Sequence, residues 1–419
     1  LRPAWSGHKY SGESPLDFGD ISKKENKKVT TIYTMAKVNG TYDDAFESVK
    51  QALQANLDND QEVGAAIHVD IGGKSVVDLW GGYADAKKSK PWEKDTIVNV
   101  WSTTKNVTSL AALILVERGL LDVDAKVSQY WPEFAANGKE NITVRHILSH
   151  TSGVSGWEAP FDEKDLYDLE KSTAHLAAQA PWWEPGSQSG YHATNYGHLV
   201  GELVRRITGK HLRDFIDEEI VRPVGADFQL GARESDWPRI AETLPPPPFD
   251  PSRFANVDPN SPVMKTFTVP PPNALKANTP EYRRAEIGGI NGHTNARALA
   301  RIFSPLALGG EKDGVRLISQ ETTNKILDVQ SEGFDLVILS PVRWGLGYGL
   351  SHIETTPWIP QDQVFFWPGW GGSLLLVDLK NKMTITYVMN KMGPGILGSD
   401  RTQQYVDAIY DVVNKSQSA

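Results

Sequence analysis

Apolar positions along the chain follow two different periods. Tyr42, Phe46, Val49, Leu53 and Leu57 recur at helical spacing, which predicts an amphipathic helix over residues 42–57. Residues 63–70 and 75–80 flank Gly72-Gly73 and read as a β-hairpin. Residues 96–101 form a strand-like run. The stretch 107–116 behind it carries Leu110, Ala111, Leu113, Ile114 and Leu115 and stops at Gly119. A stretch that apolar predicts a mostly buried helix. Helical signals then dominate from about residue 140 to 225. They include 144–149 and 195–208, where Leu199, Val200, Leu203, Val204 and Ile207 form one face ended by Gly209. Prolines 245–248 and 270–272 exclude regular structure around them. Beyond Gly288-Gly289-Ile290-Asn291-Gly292 a helix is predicted over 296–308. Strands are predicted at 363–367, 373–379 and 383–389, with Lys380-Asn381-Lys382 as a hairpin turn, and a last helix covers 401–413.

This order predicts an α+β fold: an antiparallel sheet built from both ends of the chain, flanked by helices. Residues 41–125 and 285–419 are expected to form the α/β domain. Residues 126–284 are expected to form a mostly helical, loop-rich insert that shapes a pocket. Residues 1–40 are read as a tail outside the fold, and the first methionine is Met35.

Composition narrows the class. The 419 residues are 40% hydrophobic and 23% charged, as in an ordinary globular protein. The formal net charge is −9, and the lysine cluster Lys23-Lys24/Lys27-Lys28 lies in the polar tail. That balance argues against nucleic acid or an anionic membrane as partner. No run approaches the roughly 18 apolar residues of a membrane-spanning helix. The absence of cysteine excludes disulfides, thiolate nucleophiles and Cys-ligated zinc. It fits a reducing compartment, and a cytoplasmic location is the expectation. The ten histidines are scattered with no His-Glu-x-x-His run, so no metal or other cofactor is implied. His146 and His150 stand four apart and are read as capping or hydrogen-bonding residues, and His192 as a residue behind or outside the site.

The candidate chemistry starts at Ser102-Thr103-Thr104-Lys105, at the head of the long apolar helix. Ser102 there sits among outward-pointing N–H groups, and Lys105 comes one turn later on the same face. A lysine in an apolar setting loses its charge and can act as base for a serine nucleophile. The alternative is a plain N-cap serine. A second Ser-x-x-Lys, Ser6-Gly7-His8-Lys9, lies in the tail with no apolar helix behind it. Tyr191 precedes the helix at 195. It reads either as a general base in a cleft, its proton loosened by a nearby lysine, or as a half-buried surface tyrosine. Trp367-Pro368-Gly369-Trp370-Gly371-Gly372-Ser373 borders a strand. Its backbone can supply an oxyanion-hole N–H, or it is a tight turn with packed tryptophans.

Together these elements resemble the serine β-lactamase and penicillin-binding-protein superfamily, most of all class C β-lactamases and the family VIII carboxylesterases. The likeness runs from about residue 42 to 413. It is supported by Leu148-Ser149-His150-Thr151-Ser152-Gly153, Glu184-Pro185-Gly186 and Gly288-Gly289-Ile290-Asn291-Gly292. The resemblance implies that Ser102 is acylated, that Lys105 and Tyr191 share proton transfer, and that the N–H groups of Ser102 and Trp370 form the oxyanion hole. Two positions depart from the lactamase pattern. Ala193 stands where Asn is usual, and Trp367-Pro368-Gly369 stands where Lys-Thr-Gly is usual. The lost lysine would bind an antibiotic carboxylate. Either Arg343 replaces it, or the pocket accepts an uncharged, apolar group lined by Trp182, Trp183, Trp367, Gly369, Trp370 and Gly371. The expected function is hydrolysis of a small-molecule ester through an acyl-enzyme. An acyltransferase, a β-lactamase or D-amino-acid peptidase, and a non-catalytic binding protein are the alternatives.

Overall fold

The hairpin predicted around Gly72-Gly73 forms, and both glycines take the positive φ (+56° and +82°) that such a turn needs. The computed structural model describes residues 36–248 and 257–418. Ser6-Gly7-His8-Lys9 and the lysine cluster at 23–28 lie outside the described residues. The hairpin strands are β2 (Gly64–Ile71) and β3 (Lys74–Gly82), with β1 (Val38–Tyr42) beside β3. Three short strands, β4 (Val98–Asn99), β5 (Phe228–Leu230) and β6 (Gly292–Thr294), make a separate sheet ordered β4-β6-β5. A small hairpin joins β7 (Glu311–Lys312) to β8 (Val315–Arg316). The remaining strands are β9 (Ser331–Phe334), β10 (Pro341–Trp344), β11 (Gly349–Leu350), β12 (Val364–Pro368), β13 (Leu374–Asp378) and β14 (Met383–Met389). The large sheet is antiparallel and ordered β1-β3-β2-β14-β13-β12-β11-β10-β9. The two ends of the chain meet where β2 pairs with β14, from Ile71↔Met383 to Ala65↔Met389.

The longest helices among the described residues are α1 (Glu47–Asp58), α2 (Thr104–Glu117), α3 (Tyr196–Thr208), α4 (Ala296–Ala307) and α5 (Asp400–Ser418). Successive residues of a strand face opposite sides of a sheet. Thr386 Oγ1 donates to Ala296 O of α4 at 2.8 Å, whereas Tyr387 packs edge-on against Tyr405 of α5 with ring centroids 5.0 Å apart. Helices therefore cover both faces at β14, and every residue of that strand is buried. Helices and turns predominate between residues 126 and 284, where β5 is the one named strand among the described residues. No helix among them is long and apolar enough to cross a membrane.

Three elements differ from the sequence reading. The tail expected to run to residue 40 overlaps β1, and the helix expected from residue 42 starts at Glu47. Tyr42 pairs with Val77 instead; Asn39, Gly40 and Thr41 are all exposed and give β1 no apolar alternation, and its last aromatic falls by chance at helical spacing. The strand expected over 96–101 is confined to Val98–Asn99. Trp101 takes φ +49° and the chain winds into a 3-10 turn over Trp101–Thr103. Strands β9 to β11 carry no clear sequence signal, because they are short and interrupted by Gly345 and Gly347.

Glu62 ties α5 to the sheet. Its carboxylate, fully buried, accepts from Arg401 and from the hydroxyls of Tyr387 and Tyr405, and Arg401 is itself only 8% exposed. Removing one partner of a buried pair strands the other charge. Glu62→Ala is expected to lower stability by about 3–5 kcal/mol in a denaturant titration. A loss below about 1 kcal/mol, the surface-pair range, would show that Arg401 does not depend on it.

Candidate active site

The 3-10 turn that precedes α2 presents Ser102. Trp101 holds its positive φ because Val100 N–H donates to Gly292 O at 2.9 Å, and because its ring packs against Tyr282 and Trp370 at centroid distances of 6.1 and 5.1 Å. A bulky residue keeps such a backbone only where its surroundings enforce it. Ser102 is 8% exposed and Lys105 2%. Lys105 Nζ lies 3.0 Å from Ser102 Oγ, and it donates to Ala193 O at 2.7 Å and to Gly289 O at 2.9 Å. Burial alone holds its pKa well below the ordinary lysine value. A neutral amine has two N–H bonds and one lone pair. In that neutral form, with the two carbonyls taking the N–H bonds, the lone pair is left toward the serine hydroxyl.

Tyr191 reaches the same point from the loop before α3. Its hydroxyl accepts from Trp367 Nε1–H at 2.9 Å, and its ring centroid lies 4.8 Å from Lys105 Nζ. The expectation that a neighbouring lysine loosens the phenol's proton is reversed by the structure. Burial raises the Tyr191 pKa above the ordinary tyrosine value, so the phenol stays protonated.

Three acceptors hold the backbone that carries Tyr191. Gly190 N–H donates to His150 O at 2.9 Å, Tyr191 N–H to Asp335 Oδ1 at 3.0 Å, and His192 N–H to His150 Nδ1 at 3.1 Å. Asp335 Oδ1 also accepts from the N–H groups of Val337 and Ile338, both at 2.9 Å. No sequence signal singles out Asp335; it lies 144 residues away in a short turn. His150 and His146 both act as hydrogen-bond acceptors, His146 Nδ1 receiving Thr143 N–H at 3.2 Å in a capping box. His192 is neutral, its pKa pushed down to about 3 by burial, and its Nε2 lies 2.6 Å from Ser152 Oγ.

The turn after β12 closes the site. Ser373 Oγ donates to Val100 O at 2.9 Å and lies 3.0 Å from Thr103 Oγ1. A Cβ at Gly369 would fall 2.3 Å from Val100 O, so only glycine lets this turn touch the turn that carries Ser102. Among the described residues the Trp370 N–H has no hydrogen-bond partner. Gly371 and Gly372 come next, with φ of +93° and +124°.

The other tryptophans divide. Trp367 is 4% exposed, packs at a tilt against Trp344 with ring centroids 4.5 Å apart, and serves Tyr191 as a hydrogen-bond donor. Trp183 packs against Gly190 and donates to Gln188 O at 2.9 Å. Trp182 donates to Glu158 at 3.1 Å, with Lys265 over its ring. Arg343, the alternative anion binder, is paired with Glu332 at 3.0 Å.

Residues 49–408 match the family model described as Beta-lactamase. This chain belongs to the beta-lactamase family. Within that family it is 32% identical over 366 residues to Esterase/beta-lactamase LipL of Mycobacterium tuberculosis (strain ATCC 25618 / H37Rv), a match covering 85% of this chain and 83% of LipL. The crystal structure of a family VIII carboxylesterase superposes with a TM-score of 0.84 at 38% identity, over 90% of this chain and 100% of that one. EstA from Arthrobacter nitroguajacolicus Rue61a superposes with a TM-score of 0.80 at 29% identity, over 90% of this chain and 98% of that one. The family resemblance drawn from the motifs and the α+β sheet-and-helix architecture are thus both met.

Asp335 holds Tyr191 only through the backbone, so it is a positioning residue. Asp335→Ala is expected to slow labelling of Ser102 by a fluorophosphonate by roughly 10–100-fold, the scale of a misplaced group. Asp335→Asn keeps a carbonyl oxygen for the three N–H donors and should lose much less. Equal rates in both variants and the native protein would remove Asp335 from the site.

Proposed function

We propose that this protein hydrolyses small carboxylic esters through a covalent acyl-enzyme on Ser102. The carrying observation is the buried Lys105 amine, held by two carbonyls with its nitrogen 3.0 Å from Ser102 Oγ. Ser102 Oγ attacks the ester carbonyl while Lys105 takes the hydroxyl proton. The carbonyl π electrons move onto oxygen, which the N–H groups of Ser102 and Trp370 receive; one such fixed donor is worth about 2.7–4 kcal/mol of barrier. The tetrahedral adduct collapses and expels the alkoxide. Tyr191, a protonated phenol, gives the alkoxide its proton, and the proton on Lys105 returns to Tyr191. Water then attacks the acyl carbonyl with Lys105 again as base, releasing the acid and restoring Ser102.

An ester suits the site better than a β-lactam. Trp367 and Pro368 offer no cation for a carboxylate, and Arg343 is already paired with Glu332. The family VIII neighbour is named a carboxylesterase, while the name of LipL carries both esterase and beta-lactamase.

Ser102→Ala is expected to abolish both hydrolysis of p-nitrophenyl butyrate and fluorophosphonate labelling, with the circular dichroism spectrum unchanged. Retained turnover would remove Ser102 as nucleophile. Lys105→Ala and Tyr191→Phe should each lower kcat/KM by at least about 100-fold; near-native rates in both would put the base elsewhere.

The pH profile has a defined sign. The base is active when neutral, so kcat/KM rises with pH through the depressed Lys105 pKa. The raised Tyr191 pKa keeps the acid protonated beyond that point. The profile should therefore show an acid limb well below the ordinary lysine range and a plateau above it. A rate that falls as pH rises through neutrality would contradict the assignment. Benzylpenicillin should be turned over slowly or not at all, as read by its ultraviolet absorbance, and efficient cleavage would reverse the reading of Trp367 and Pro368.

A further inference from the structure

Around Tyr191 lies an apolar cluster separate from the main core. Tyr191, Ala193, Val337, Val342, Trp344 and Trp367 form its buried part. Phe267, Ile338, Ile396 and Leu397 pack on it and stay partly exposed. These four come from three segments far apart in sequence: a short helix (Pro262–Thr268), the turn between β9 and β10, and the loop before α5. Tyr191 belongs to the same cluster, so these four side chains form a partly exposed apolar rim on the cluster that holds the phenol. An open apolar surface next to a reactive group is where the apolar part of a substrate loses water.

Its position identifies which half of the substrate it meets. The phenol of Tyr191 must reach the departing oxygen, so the surface around it faces the alcohol side of the ester. Both departures from the lactamase pattern, Ala193 and Trp367, fall inside the same cluster, so no side-chain amide or ammonium interrupts it. Asp335 Oδ1 binds the N–H groups of Tyr191, Val337 and Ile338 together, which fixes the rim in register with the proton donor.

We propose that this rim binds an apolar alcohol group, an alkyl chain of several carbons, and that Ile338 and Leu397 set the preference for it. This rests on the ester-hydrolase reading above. The test is a series of butyrate esters of ethanol, butanol, hexanol and octanol, whose leaving groups have nearly equal acidity, with acid release measured in a pH-stat. In the native protein kcat/KM should rise at least about tenfold from ethyl to hexyl, given the transfer free energy of four methylenes. Ile338→Ser and Leu397→Ser should each bring the hexyl-to-ethyl ratio down toward one. The ratio does not depend on how much of a variant is folded. A flat native series from an enzyme that hydrolyses ethyl butyrate and labels at Ser102 would overturn this proposal alone. An unchanged ratio in both variants would overturn it too. Failure to hydrolyse any ester in the series would instead sink the ester reading on which it stands.

Discussion

One buried amine organises the catalytic half of this molecule. Lys105 Nζ needs Ala193 O and Gly289 O on one side and Ser102 Oγ on the other, so three segments of the chain must meet at one atom. The approach is tight enough to dictate side-chain size. A Cβ at Gly197 would lie 2.2 Å from the carbonyl carbon of Gly288, and one at Gly289 would lie 2.5 Å from Thr194 O. Glycine at these positions lets α3 press against the 288–292 segment and aim its carbonyls at the lysine. Hydroxyls of α2 hold that segment from the other side: Thr108 Oγ1 donates to Gly288 O at 2.6 Å, and Gly292 N–H donates to Thr104 Oγ1 at 2.8 Å. The helix that carries Ser102 and Lys105 thus also holds the segment whose carbonyl at Gly289 accepts from the lysine.

Burial acts on the two proton carriers in opposite directions on the pKa scale and toward the same end. It lowers Lys105 and raises Tyr191, so it favours the uncharged form of both. An uncharged amine is a base and an uncharged phenol is an acid, the division of labour that the proposed ester hydrolysis uses. The aromatic box of His150, Trp344 and Trp367 around Tyr191 supplies the dry surroundings, with ring centroids at 5.1, 5.9 and 5.1 Å. The histidine of that box is held neutral by the same burial, so it adds no charge that would pull the phenol back toward ionisation.

How much of the site is legible in the residue order depends on distance along the chain. Ser102 and Lys105 are three residues apart at the head of one helix, so their contact is local and spacing alone reveals it. The strands β2, β3, β12, β13 and β14 announce themselves because turn residues bound dense apolar runs. Tyr191 stands out by its place before a helix, but the state of its proton does not, because that depends on burial by Trp344 and Trp367, each more than a hundred residues away. Asp335 is illegible for the same reason. One acidic residue in a short turn looks like a solvated loop until folding brings it under Tyr191 N–H. Trp367 reads as a pocket wall because indoles are apolar; its N–H, pointed at a phenol, gives it a different task.

The two departures from the lactamase pattern make physical sense as a pair. An asparagine at position 193 would add a side-chain amide beside Lys105; alanine leaves the backbone carbonyl at that position to accept from the amine. A lysine at position 367 would place a positive charge near Tyr191 and favour the phenolate. The indole donates one neutral hydrogen bond to the same oxygen, which steers the phenol without ionising it. Each exchange removes charge or polarity from the surface around Tyr191 and keeps a hydrogen bond where proton transfer needs one. The result is a phenol whose hydroxyl meets one neutral indole N–H in apolar surroundings, with no side-chain cation at position 367.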